Sequence, residues 1–179
     1  MTGGYARASL HDPLTGLFNR RYLNDTLPRE LNRARREGKQ TTIAMLDIDH
    51  FKHFNDTYGH DAGDLMLREL GRVLRENVRK SDIACRFGGE EFVLILLDSS
   101  LESSRRHLEK INTLVKELQI RYGEQLLGSM SLSIGIIEAS QHEMTGDELL
   151  SAADKALYAA KRAGRDRIMA YTELEISSK

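Results

Sequence analysis

Ile83-Ala-Cys-Arg-Phe-Gly-Gly-Glu-Glu-Phe-Val-Leu-Ile-Leu-Leu97 decides the fold of this chain. Two β-prone runs, Ile83–Phe87 and Glu91–Leu97, flank Gly88-Gly89, which is a hairpin signal. A two-residue Gly-Gly turn predicts positive φ at both central residues. Phe92-Val-Leu-Ile-Leu-Leu97 is apolar at every position, so the second strand belongs inside a sheet covered on both faces. Six apolar residues are far too few to span a bilayer.

Upstream of the hairpin, Leu65, Leu67, Leu70, Val73, Leu74 and Val78 recur at helical spacing and predict a helix over Asp64–Arg79. Before it, Thr41-Thr-Ile-Ala-Met-Leu46 reads as a strand that delivers Asp47 and Asp49 at its end. Leu17–Glu37 has helical character but contains Pro28, which predicts a break or fresh start near Thr26–Pro28. Downstream, a helix is expected from Leu101 to Tyr122. Met130, Leu132, Ile134 and Ile136 alternate with Ser131, Ser133 and Gly135, the pattern of a strand buried on one face. Asp147–Ala163 is a last helix stopped by Gly164, and Arg167–Tyr171 a short edge strand. The order β-α-β-β-α-β, extended by a helix, places the chain in the α+β class. It predicts a ferredoxin-like, palm-type split β-α-β with a mostly antiparallel central sheet flanked by helices.

The 179 residues predict a single domain spanning 1–179, with its core over about 10–171. With 26 Lys+Arg against 27 Asp+Glu, the net charge is -1, which removes any general affinity for a nucleic-acid polymer or an anionic membrane. Cys85 is the only cysteine, so neither an intrachain disulfide nor a cysteine-rich zinc site is available. It reads as a small buried hydrophobe. Met1-Thr-Gly-Gly-Tyr-Ala-Arg7 lacks the apolar core of a signal peptide. A cytoplasmic setting is expected, with no direct membrane contact from this segment. A longer, membrane-anchored parent remains open, because the chain reads like one module.

Asp47 and Asp49, two apart at a strand end, lean toward one face, and Glu90 and Glu91 sit at the hairpin tip. If the hairpin pairs beside Thr41–Leu46, carboxylates from two loops converge. Such a cluster repels itself unless a cation lies between, and oxygen ligands suit Mg²⁺ or Mn²⁺. Two glycines also let a nucleotide approach the backbone closely. The plainer alternatives stay open at this level: acids flank turns because turns are solvated, and Asp49 is equally placed to cap a following helix.

Five separated blocks go further. They are Asp12-Pro-Leu-Thr-Gly-Leu-Phe-Asn-Arg-Arg21, Asp47-Ile-Asp-His-Phe-Lys-His-Phe-Asn55, Asp56-Thr-Tyr-Gly-His-Asp-Ala-Gly-Asp64, Arg86-Phe-Gly-Gly-Glu-Glu-Phe92, and Ala156-Leu-Tyr-Ala-Ala-Lys161 with Gly164-Arg165. In this order they resemble the GGDEF-domain diguanylate cyclases, in the variant with Glu at the third signature position, over roughly Leu10–Tyr171. The resemblance implies condensation of two GTP into cyclic di-GMP and two pyrophosphates, in bacterial second-messenger signalling. Two half-sites would face each other across a homodimer, and an upstream sensory or dimerising domain is expected in the parent protein.

The same resemblance assigns roles. Asp47, the Ile48 carbonyl and Glu90 would hold Mg²⁺ or Mn²⁺, with Glu91 a further ligand or proton acceptor. Catalytic residues are therefore expected at Asp47, Lys52, Glu90 and Glu91, the general base being undecided. Lys52 and backbone N–H groups around His50, Phe51 and Lys52 would hold the β- and γ-phosphates, and Lys161 and Arg165 would form a second clamp. Gly88 and Gly89 would line the nucleotide. Asn55 and Asp64 match the guanine readers, since a carboxylate accepts from guanine N1–H and N2–H₂. Asp64 is also a candidate N-cap for the Leu65–Arg79 helix. His53 and His60 are read as structural or exposed, because the metal site is oxygen-rich. Arg79 and Asp82, an Arg-x-x-Asp, match the family's inhibitory cyclic di-GMP site. A non-catalytic cyclic di-GMP receptor using Arg79 and Asp82 alone is the rival reading; the retained acids and cations speak against it.

Overall fold

The computed structural model describes residues 9–178, so the N-terminal reading at 1–7 lies outside the described residues. Strands are β1 (Phe18–Asn19), β2 (Thr41–Ile48), β3 (Ile83–Gly88), β4 (Glu91–Leu97), β5 (Arg121–Tyr122), β6 (Gln125–Leu126), β7 (Leu132–Glu138) and β8 (Arg167–Ala170). Helices are α1 (Arg20–Glu37), α2 (Phe51–Tyr58), α3 (His60–Glu76), α4 (Leu101–Lys116), α5 (Gly146–Arg162) and α6 (Tyr171–Ser177). The main sheet has six strands in the order β1-β3-β4-β2-β7-β8. Its inner pairs are antiparallel, while β1 with β3 and β7 with β8 are parallel. The centre, β3-β4-β2-β7, is the expected split β-α-β arrangement. No helix among the described residues is long and apolar enough to cross a membrane.

Alternation explains the two cores. On β4, Phe92, Leu94 and Leu96 join Leu46, Leu70 and Leu108 beneath α3 and α4. Val93 and Ile95 turn the other way and join Ile43, Leu23, Leu27 and Leu149 beneath α1 and α5. Following the same period along β2, Asp47 falls on the face that α5 covers.

Several expectations are corrected. Helix α1 runs unbroken through Pro28. An interior proline costs about 3 kcal/mol. Leu27 and Leu31, on either side of it, are buried, and each contributes about 1.5–3 kcal/mol. Gly88 and Gly89 both lie outside the left-handed region. The ladder slips between Arg86 and Gly88, and Gly88 pairs Glu91, so a bulge replaces the primed turn. Strand β7 is buried on both faces, not one. A Cβ at Gly135 would overlap the Ala153 carbonyl oxygen and stand 2.8 Å from the Ala156 carbonyl carbon, so α5 lies directly on the strand. Helix α4 stops at Lys116, and the β5–β6 hairpin and α6 are elements the sequence pattern does not announce. Helix α3 begins at His60 and ends at Glu76, which leaves Arg79 in a turn.

Candidate active site

Asp47 sits near the end of β2, directly opposite Glu91 of β4 and Ser133 of β7. It is 4% exposed, and Lys161, in the last turn of α5, reaches across 114 positions to form an ion pair with it. Burial pushes the Asp47 pKa up, Lys161 opposes this, and Glu90 and Glu91 add to it; the carboxyl ends at about 6. Such a carboxylate carries repulsion that a cation would relieve.

Immediately after β2 the chain turns through His50, whose φ of 57° is left-handed, into α2. The first N–H groups of α2 have no intrahelical partner and face outward with the positive end of the helix dipole. Asp47, Ile48, Asp49, His50, Phe51, Lys52, His53, Asp56, Glu90, Lys161 and Arg165 surround an open cleft of about 510 Å³. Phe51 is buried, so its ring belongs to the core and only its backbone is available there. Glu91 stands on β4 opposite Asp47 and is not part of the cleft wall.

Asp49 does something the sequence did not announce. Its carboxylate accepts from Ser131 Oγ and Ser133 Oγ, both at 2.6 Å, and from the Asp166 N–H at 3.0 Å. It therefore ties β2 to β7 and to the turn carrying Arg165, and caps no helix. The alternating serines of β7 were its only sequence signal. Arg165 itself has φ 63°, beyond the end of α5, and projects from that turn.

Asp64 is the fifth residue of α3 and not its N-cap, a position Gly59 occupies. The α2–α3 junction at Gly59 (φ 91°) brings the first turn of α3 against Asn55. Asn55 Oδ1 is shielded from solvent without a hydrogen-bond partner. Gly88 and Gly89 meet no atom within 4 Å of where a Cβ would stand, and neither needs positive φ. Nothing within the folded chain requires glycine there.

Arg86, on the strand before the signature turn, donates to the Gly89 carbonyl at 3.0 Å and to Asp12 at 3.3 Å. Burial opposes charge on Asp12, but the Thr15 hydroxyl and N–H and the Arg86 guanidinium hold its pKa low. The lead-in turn is thus joined to the hairpin tip. Arg79 and Asp82 lie away from the cleft. Asp82 is buried and accepts from the Arg79 and Leu97 N–H groups, each at 3.0 Å, and from the Arg79 side chain. Arg79 separates two surface depressions, one against α1 and one against α4. Cys85 is fully buried, and burial lifts its thiol to about 12.

Among the described residues no three His, Cys, Asp or Glu side chains form a cage for a metal ion. Mg²⁺ does not need one, since it takes one or two carboxylates and completes its shell with phosphate oxygens and water. Asp47, Glu90 and the Ile48 carbonyl around one cleft fit that habit.

Known proteins resemble this chain in sequence and fold. The family described as "Diguanylate cyclase, GGDEF domain" matches residues 9–167. Diguanylate cyclase DgcP of Pseudomonas aeruginosa is 45% identical over 161 residues, 89% of this chain and 24% of that protein. Response regulator PleD of Caulobacter vibrioides is 40% identical over 160 residues, covering 88% of this chain and 35% of that one. The GGDEF domain of DgcB from Caulobacter crescentus, solved in complex with c-di-GMP, superposes with a TM-score of 0.87 at 35% identity, over 93% of this chain and 98% of that one. The chain thus spans between about a quarter and two fifths of the length of the curated relatives it matches. The match of family, sequence and fold over nearly every described residue establishes that the chain belongs to the GGDEF-domain family of diguanylate cyclases.

Proposed function

We propose that the chain is the catalytic module of a longer signalling protein and condenses two GTP into cyclic di-GMP with release of two pyrophosphates. The observation that carries this is the single cleft on which Asp47, the Ile48 backbone, Glu90, Lys52, Lys161 and Arg165 converge. Asp47, the Ile48 carbonyl and Glu90 would hold Mg²⁺ or Mn²⁺. When bound, the metal polarises the α-phosphate and acidifies the attacking 3′-hydroxyl. Lys52 and the N–H groups opening α2 hold the β- and γ-phosphates. Lys161, paired with Asp47 in the metal-free chain, would be available to phosphate with the carboxylate neutralised by a cation, and Arg165 lines the same cleft. Asp64 accepts from guanine N1–H and N2–H₂, with the Asn55 amide group beside it. The open space around Gly88 and Gly89 is kept for the nucleotide.

Each GTP is attacked by the 3′-hydroxyl of the other, so turnover requires two copies of this site face to face in a homodimer. Glu91, just outside the cleft wall, is the acid available to the partner nucleotide's hydroxyl proton. Product binds at Arg79 and Asp82 and inhibits. For that the Arg79 guanidinium swings out to the phosphate, while Asp82 keeps its two backbone donors.

The test is incubation of nucleotide-stripped protein with GTP and Mg²⁺, products resolved by chromatography, with ATP in parallel. Cyclic di-GMP from GTP alone supports the proposal. Tight cyclic di-GMP binding with no product, even from a forced-dimer fusion, would make the chain a receptor instead.

A further inference from the structure

The turn after α5 is held in a conformation that ending the helix does not require. Gly164, at φ 120°, already supplies the glycine stop, and the Arg165 N–H returns to the Ala160 carbonyl at 3.1 Å to close the last turn. Yet Arg165 and Asp166 follow it into the left-handed region, at φ 63° and 48°. Such a backbone is unfavourable for a residue with a side chain, less so for Asp than for Arg. Two anchors hold it there. The Asp166 N–H donates at 3.0 Å to the Asp49 carboxylate, which Ser131 and Ser133 fix in place. The Asp166 carboxylate accepts from Asn112 Nδ2 at 2.7 Å and from Lys116 Nζ at 3.1 Å, both on α4. Asn112 is itself buried, and its other end accepts from the Leu132 N–H at 2.9 Å. Backbone strain that the surroundings over-determine, beside a cation lining the cleft, points to function.

We infer that Asp166 is a positioning residue for Arg165: clamped between Asp49 and α4, it fixes the strained turn in the course that carries the Arg165 guanidinium to the triphosphate. This rests on the phosphate-clamp role proposed for Arg165. A long, exposed arginine on a loose turn gives up much freedom on binding, and a turn fixed beforehand removes part of that cost. The Asp166 carboxylate is engaged by α4, so it acts through the turn and not on the nucleotide. Charge and positioning predict opposite signs here. A carboxylate near a triphosphate repels it, so on charge alone removing Asp166 strengthens binding; as a positioning residue, its removal weakens it.

The experiment measures binding of 3′-deoxy-GTP, which lacks the attacking hydroxyl, and of 3′-deoxy-GMP, which also lacks the β- and γ-phosphates, with Mg²⁺ present. Parent, Arg165→Ala, Asp166→Gly, Asp166→Asn and the Arg165→Ala/Asp166→Gly double variant are compared. Glycine relieves the backbone strain while releasing Asn112 and Lys116, effects of opposite sign on stability, so Asp166→Gly folds and loses the anchor. Expected for it is about three- to tenfold weaker binding of the triphosphate, with little change for the monophosphate. Asparagine tolerates left-handed backbone and keeps an acceptor for Asn112, so Asp166→Asn retains the parent's affinity. In the Arg165→Ala background Asp166→Gly adds nothing, because the group it positions is gone. If Arg165→Ala leaves 3′-deoxy-GTP affinity unchanged, the clamp role falls and this inference with it. If Arg165→Ala weakens binding and Asp166→Gly does not, only the inference falls. An Asp166→Gly loss that persists without Arg165, that is equal for both nucleotides, or that Asp166→Asn shares in full also overturns it.

Discussion

Replacing Asp47 by asparagine should abolish cyclase activity and yet stabilise the metal-free protein. The carboxyl is almost wholly buried, and burial together with Glu90 and Glu91 outweighs Lys161, taking its pKa from 3.8 to about 6. A carboxyl whose folded pKa lies above its unfolded value binds its proton more tightly in the native state. Stability is then lost as pH rises from about 4 to about 6, and above that range the full penalty stands. Two pKa units correspond to about 3 kcal/mol. The amide keeps a desolvation cost of its own and gives up the Lys161 partner, so the net gain is about 1–2 kcal/mol. For a chain of this size that is a rise of roughly 2–8 °C in Tm. The assay is thermal unfolding of both proteins in EDTA at about pH 4, 6 and 8. The gap should be largest at the highest pH and mostly closed at the lowest. A variant less stable than the parent at high pH, or a gap independent of pH, refutes the reasoning.

Glu90→Gln should remove turnover while leaving cyclic di-GMP affinity, measured by calorimetry, at the parent's value, since Arg79 and Asp82 lie away from the cleft. Arg79→Ala should raise the cyclic di-GMP concentration for half inhibition by at least about tenfold, with the initial rate kept. Its guanidinium is more than half exposed, so Tm should barely move. Asp82→Ala, in contrast, strands the Arg79 and Leu97 N–H groups around a buried site and should cost about 2–3 kcal/mol in urea unfolding. Gly135→Ala drives a methyl group into the backbone of α5; a loss of about 3 kcal/mol, read from the urea midpoint, is expected.

The parts of the fold that sequence pattern reveals are those where one periodicity acts over several residues. β4 is apolar at every step from Phe92 to Leu97 and stands in the sheet interior; β2 carries Asp47 near its end and Asp49 just beyond it. Pattern fails where tertiary packing overrules a local preference. Pro28 stays helical because Leu27 and Leu31 on either side are buried, and Ser133 is buried because Asp49 takes its hydroxyl. The β5–β6 hairpin is two residues a side and exposed, so it has no hydrophobic signature to read. For the site, residue types were legible but pairings were not. No spacing announces that Lys161 reaches Asp47, or that Arg86 joins the lead-in turn to the signature hairpin. The first contact follows from α5 packing over the end of β2, the second from β1 pairing beside β3.

In and beside the cleft the chain departs in several places from what folding alone favours. Asp47 is a buried acid facing two others, Asn55 holds an acceptor with no donor, Gly63 weakens its own helix, and Gly88-Gly89 are glycines without a conformational need. Each is unfavourable or unexplained within the chain. Conflicts also occur elsewhere, at Pro28 inside α1 and at the unpartnered Thr26 Oγ1, Thr41 Oγ1 and His142 Nε2, but those named here share one end of the sheet, at the ends of β2 and β3 and along α2 and α3. Two of these are answered by one part of a single complex: a cation for the acids, and phosphate close to the backbone for Gly88 and Gly89. Local conflict at a cleft is the expected mark of a functional site, and the buried, repelling carboxylates support the metal reading from energetics.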